Sequence, residues 1–117
     1  MIQKKITIDN NGGINIPAIV SMKPYEIAEL FEVYVQSVYS GIRTILRSGI
    51  IRVDSSENSV MIGKLIMPES YGLEMIVALA FRIDSPNTKK IRDWIIRNLS
   101  MRYHPQPVID LIPIGLN

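Results

Sequence analysis

The chain has no cysteine. Disulfide frameworks, thiol nucleophiles and cysteine metal sites are therefore excluded. It has one histidine, His104, followed closely by Pro105 and Pro107. That setting suits a loop better than a metal ligand or a catalytic base. There is no glycine-rich phosphate cradle and no spaced set of metal ligands, so an enzyme is the weakest class and no cofactor is expected. No run is long and apolar enough to span a bilayer. The opening residues Met1 to Thr7 lack the apolar core of a signal peptide, so a cytoplasmic protein is expected. A large excess of one charge is missing too. Lys and Arg number 13 against 11 Asp and Glu, a formal net charge of +2. The chain as a whole is not a strongly basic binder.

What is present suits one compact globular domain. The chain has 117 residues, 47% apolar and 21% charged, outside the range of disordered chains. Its charge is uneven. Residues 1 to 40 carry Asp9, Glu26, Glu29 and Glu32 against Lys4, Lys5 and Lys23. From Arg43 onward the charges are mostly positive, among them Arg47, Arg52, Lys64, Arg82, Lys89, Lys90, Arg92, Arg97 and Arg102. One side of the fold can be basic while the total stays mild.

The organising stretch is Pro24 to Ile51, which reads as two helices joined by a tight turn. Ile27, Ala28, Leu30 and Phe31 form an apolar stripe on the first helix, and small Ala28 suits a close helix crossing. Val33 falls in the turn and can plug the angle. Val38, Ile42, Ile45 and Leu46 give the second helix its buried side. Its other side shows Gln36, Ser37, Tyr39, Ser40, Arg43 and Arg47, with no acidic residue. A helix fits the major groove of B-DNA and points its first turns at the bases. Gln36 suits an adenine edge, and Ser37 and Ser40 suit a base or a phosphate. Tyr39 offers a hydroxyl to a phosphate or a ring edge to a thymine methyl. Arg43 and Arg47 suit the backbone or a guanine. The plain alternative is an amphipathic hairpin whose polar side only meets water.

The other segments read as follows. Lys5 to Asp9 alternates with period two, Asn10-Asn11-Gly12-Gly13 signals a turn, and Ile14 to Ile16 returns, so a β-hairpin is expected. Its Ile6, Ile8, Ile14 and Ile16 need helices to pack on. Pro24 suits a first helical turn, with Ser21 or Lys23 near the cap and Glu26 and Glu29 at the end that favours acids. Gly49 stops the second helix. Ile50 to Val53 and Val60 to Met67 read as extended, the order of a winged helix. The loop between them holds Asp54 and Glu57 and is expected to be a solvated connector rather than a DNA-touching wing. Tyr71 to Arg82 is read as helix, with Leu73, Ile76, Val77 and Ala80 inward and a strand as the alternative. Asp84-Ser85-Pro86 signals a helix start. From there to about Met101, Ile91, Trp94, Ile95 and Leu99 share one side. Lys89, Lys90, Asp93, Arg97 and Ser100 share the other. Trp94 is expected in the core. The tail from His104 to Asn117 is too apolar to leave in water and is expected to fold back or meet another chain.

These residues resemble the RhuM family, virulence-associated proteins also found on bacterial mobile elements. The resemblance spans roughly Ile14 to Arg102. It rests on Glu26-Ile27-Ala28-Glu29-Leu30-Phe31, then Val33, Val38 and Ile42, then Asp54 to Val60. It continues through Tyr71-Gly72-Leu73-Glu74, Phe81-Arg82-Ile83-Asp84-Ser85 and Lys90-Ile91-Arg92-Asp93-Trp94. The last segment is also similar to the amino-terminal Bro domain of phage and viral antirepressors. The resemblance implies a DNA-binding module. This sequence departs from the family pattern at Glu32, where the turn usually has glycine, and at Tyr34, Val35 and Gly41. Against that pattern, Val35 and Gly41 lack expected DNA contacts.

The expected protein is thus α+β: an N-terminal β-hairpin (1–20), a winged-helix-like helix-turn-helix (23–51), an extended segment plus two helices (52–103), and an apolar tail (104–117). The expected role is that of a transcription regulator of a mobile element or prophage. It would bind double-stranded DNA, with residues 35–48 as recognition helix, as a homodimer whose helices meet successive major grooves about 34 Å apart. The second class is a degenerate helix-turn-helix module kept for protein contacts and oligomerisation.

Overall fold

A short hairpin opens the chain because its turn is built to close. A computed structural model describes residues 3–51, 59–62 and 65–102. Strands β1 (Thr7–Ile8) and β2 (Ile14–Asn15) pair antiparallel, with Ile8 opposite Ile14. The Asp9 carboxylate accepts the N–H groups of Asn11 and Gly13 at 2.9 and 2.8 Å. Gly12 takes the positive φ of 83° that the turn needs. The strands are shorter than the alternation suggested, but their isoleucines do what was required of them. Ile6 is buried, and Ile8, Ile14 and Ile16 pack on the core.

Helix α1 (Pro24–Phe31) starts at Lys23, whose N–H is accepted by the Glu26 carboxylate at 2.8 Å. Ile27, Ala28 and Phe31 are buried and Leu30 partly so. Helix α2 (Val35–Ser48) follows after three residues and stops at Gly49, which takes φ 75°. Val38, Ile42 and Ile45 are buried, Leu46 packs beside them, and Val33 fills the turn as expected.

Glu32 caps α1 in the left-handed region, φ 59° and ψ 50°. A side chain there is strained by about 1–2 kcal/mol, against about 0.5–1 kcal/mol of extra chain entropy that glycine must lose. Glu32→Gly is therefore expected to stabilise the protein by about 0.5–1 kcal/mol. Urea unfolding checks this; a loss of stability would mean that the Glu32 side chain contributes more than its strain costs.

A second hairpin comes next: β3 (Ser59–Ile62) and β4 (Leu65–Pro68) pair antiparallel, with Ile62 opposite Leu65. The single strand expected over Val60 to Met67 is thus two. Ile50 and Ile51 both form bends rather than extended chain. The expected contributions of Val53, Asp54, Glu57, His104 and the 104–117 tail fall outside the described residues.

Tyr71 pairs with Met22 through two backbone bonds of 2.8 and 3.0 Å, tying the entry of α1 to the entry of the third helix. That helix, α3 (Leu73–Ala80), is the expected helix, rotated from the expected face. Met75, Ile76, Leu79 and Ala80 are buried, while Leu73 is exposed. Helix α4 (Pro86–Arg102) starts where Ser85-Pro86 signalled. Ser85 N–H donates to Thr88 Oγ1 at 2.8 Å and Thr88 N–H to Ser85 Oγ at 3.1 Å, a reciprocal cap. The same turn finishes α1: Ser85 Oγ donates to Phe31 O and Asn87 Nδ2 to Leu30 O, both at 2.8 Å. The start of α4 thereby satisfies carbonyls that the end of α1 leaves open.

Lys89, Lys90, Asp93, Arg97 and Ser100 are exposed on α4, as expected. The apolar side departs from expectation. Ile91 is buried and Ile95 packs on the core, but Leu99 is exposed and Trp94 is half-buried outside the core cluster. The far half of α4 runs past the core, so its periodic apolar positions find less to cover them. The result is an α+β fold whose helices and first hairpin share one apolar cluster.

Candidate nucleic-acid interface

Helix α2 has 14 residues, so it is about 21 Å long. Its packing against α1 and α3 decides which side stays open. Gln36, Ser37, Ser40 and Arg47 are exposed and Arg43 is half-exposed. Those five of the six sequence-selected residues lie on the open part of the helix. Tyr39 does not belong with them. It is half-buried and packs on the core, where its phenol neighbours that of Tyr71. At about 100° per residue, Tyr39 lies beside Ile42 and Leu46, on the packed flank. Tyr39 is therefore less open than the other five residues.

Val35 and Gly41, on the same helix, both turn inward. Val35 is half-buried and packs on the core. Gly41 is buried against α3, where an added Cβ would lie 2.7 Å from Leu79 Cδ2. Neither position belongs to the open side, so neither removes a contact from it. Gly41 is the close crossing point of α2 and α3, a role the sequence suggested only for Ala28 in α1.

The open side is not acidic. Between Val33 and Val53 there are three arginines and no carboxylate. The carboxylates of Glu26, Glu29 and Glu32 line a different groove, between α1 and the first hairpin, with Lys5 and Asn87. Lys5 Nζ lies 3.4 Å from Glu26 there. Arg47 sits in the last turn of α2, where the helix dipole favours a cation.

Sequence reasoning missed three residues beside this surface. Tyr34, at the start of α2, is 83% exposed. Thr44 lines the open groove, but its hydroxyl donates to Ser40 O at 3.0 Å. Arg82 reaches the same groove from beyond α3, joining Gln36, Ser37, Ser40 and Thr44. The α2 residues could have been found from the helical wheel. Arg82 could not, because its distance from α2 in sequence carries no signal of contact. Arg92 was counted among the distributed cations, yet its guanidinium is bonded within the fold, to Ala80 O, Ile83 O, Thr88 Oγ1 and Asp84.

Two helices joined by a three-residue turn and followed by an antiparallel hairpin give a fold of the α+β class. Comparison with family models, curated proteins and solved structures found no match. Among the described residues, no helix is long and apolar enough to cross a membrane.

Proposed function

We propose that the protein is a cytoplasmic DNA-binding regulator of the kind carried by mobile elements or prophages, with α2 as its recognition helix. The observation that carries this reading is the open side of α2: Gln36, Ser37 and Ser40 near the start, Arg43 and Arg47 farther along, and no acid among them. Gln36 meets a base edge in the major groove, and Ser37 and Ser40 have the reach of a base or a phosphate. Arg43 and Arg47 meet phosphates. The RhuM resemblance supports the same class and the mobile-element setting. A homodimer would place two such helices about 34 Å apart, one helical repeat of the duplex.

The test is a salt titration of duplex affinity. Each phosphate contact contributes about 0.9 to the log–log slope, so Arg43→Ala/Arg47→Ala is expected to flatten it by about 2. A double variant with the wild-type slope would remove these arginines from the interface.

One observation favours a second reading, a helix-turn-helix module used for protein contacts. Ile96, Leu99 and Met101 are all more than half exposed on the outer part of α4. A stable oligomer by light scattering, with no shift of random-sequence duplex at low salt, would favour it over the first.

A further inference from the structure

We infer that Arg82 and the hydroxyls of Ser37 and Ser40 form a seat for one backbone phosphate of double-stranded DNA, in the groove between α2 and the turn after α3. This rests on the DNA-binding reading of α2. It adds a contact from a second element, outside the helix-turn-helix.

The seat exists because α2 and α3 approach closely. Gly41 has no side chain to hold them apart, and Leu79 occupies the space that a Cβ would need. Arg82 follows Leu79 by three residues and so arrives beside Ser37 and Ser40. Its backbone is held. Arg82 N–H donates to Leu79 O at 3.0 Å and Ile83 N–H to the same oxygen at 2.8 Å. The Arg92 guanidinium bonds Ala80 O at 2.8 Å and Ile83 O at 3.2 Å, one on each side of Arg82. The Arg82 side chain, by contrast, is exposed and makes no hydrogen bond or ion pair among the described residues. The carboxylate nearest it in sequence, Asp84, bonds Arg92 at 3.2 Å. A fixed backbone carrying a permanently charged fork, unpaired among the described residues and lining one groove with two exposed hydroxyls, suits a pair of phosphate oxygens. Thr44 is not counted as a donor, because its hydroxyl already bonds Ser40 O.

The site has directional consequences. A phosphate held from α3's side while Arg43 and Arg47 hold others along α2 fixes the helix against rotation in the groove. Backbone contacts set register in this way without reading sequence.

The experiment compares salt titrations of a random-sequence duplex with wild type, Arg82→Gln, Arg82→Lys, Arg43→Ala/Arg47→Ala and Arg97→Gln. Arg82→Gln is expected to lower the slope by about 1 and Arg82→Lys to keep it, since one phosphate contact is worth about 0.9. Arg97→Gln, an exposed cation on α4, is expected to keep the wild-type slope. A wild-type slope for Arg82→Gln, with a flattened slope for the double arginine variant, overturns the seat and leaves the α2 reading standing. Failure of wild type to retain duplex at low salt overturns both. The Arg82 side chain has no bond within the described fold to lose, so unchanged unfolding midpoints are expected for its variants.

Discussion

Arg92→Ala is expected to lower the free energy of unfolding by about 3 kcal/mol, because two bonds from a charged donor to carbonyls are lost at about 1.5–3 kcal/mol each, discounted for partial exposure. Arg92 looks in sequence like one more surface cation on α4. In the fold its side chain is only 22% exposed. Nη1 bonds Ala80 O at 2.8 Å, Ile83 O at 3.2 Å and Thr88 Oγ1 at 3.2 Å. Ala80 is the last residue of α3, so its carbonyl has no partner within the helix. Thr88 is fully buried, and its hydroxyl belongs to the cap that starts α4. One guanidinium thus closes the end of one helix and braces the beginning of the next. The pair with Asp84 adds little, since that carboxylate is 93% exposed and solvent screens it. Arg92→Lys is expected to recover less than half of the loss, because the lysine ammonium ends one bond short of the place that Nη1 takes and is more strongly hydrated than a guanidinium. Urea unfolding of the three proteins checks both statements. A change of less than about 0.5 kcal/mol in Arg92→Ala, the usual scale of surface substitutions, would show that water replaces these bonds at no cost.

The second large effect appears in alkali. Tyr71 is 2% exposed, and its hydroxyl has no hydrogen-bond partner among the described residues. Burial, and to a lesser degree the neighbouring Tyr39, pushes its pKa from 10.0 up to about 12. Between those two values the unfolded chain gives up the phenolic proton while the folded protein keeps it. The unfolded state then binds fewer protons, so stability falls as pH rises. The slope is roughly 1 kcal/mol per pH unit across that window, and below it the term vanishes. Tyr71→Phe removes the titrating group. It is expected to abolish this part of the alkaline loss and to gain about 1 kcal/mol at neutral pH, because a buried hydroxyl without a partner is costly. Denaturant unfolding of both proteins at neutral and strongly alkaline pH gives the comparison. Lysine titration is common to both and cancels in the difference. Parallel pH curves for the two proteins would show that the Tyr71 hydroxyl is hydrated or bonded in the folded state.

The candidate interface was partly legible before the fold was known. Spacing alone puts Gln36, Ser37, Ser40, Arg43 and Arg47 on one helix side, and the fold leaves that side open, because an open helix side opposite a buried one follows from 3.6 residues per turn. Tyr39 is half-buried rather than open for an equally plain reason. It lies at the border between the two sides, and its ring can go either way until a neighbour accepts it. In the fold the core beside Tyr71 does so.

Local chemistry by itself determined where elements start and stop. Asp9 with Gly12 made the first turn, Gly49 ended α2, Ser85 and Pro86 began α4, and Glu32 took a left-handed cap that cannot be read as helix. These depend on backbone bonds and φ values within a few residues, so they are written in the order of the chain. Only the tertiary structure decided which way each element faces. The approach of α3 turned Leu79 rather than Leu73 inward and made Gly41 a contact point. The reach of the core left Leu99 outside, and the packing of α4 bonded Arg92 while leaving Arg82 unpaired among the described residues beside α2. Such choices rest on contacts between residues far apart in sequence, and periodicity within a single helix holds no record of its neighbours.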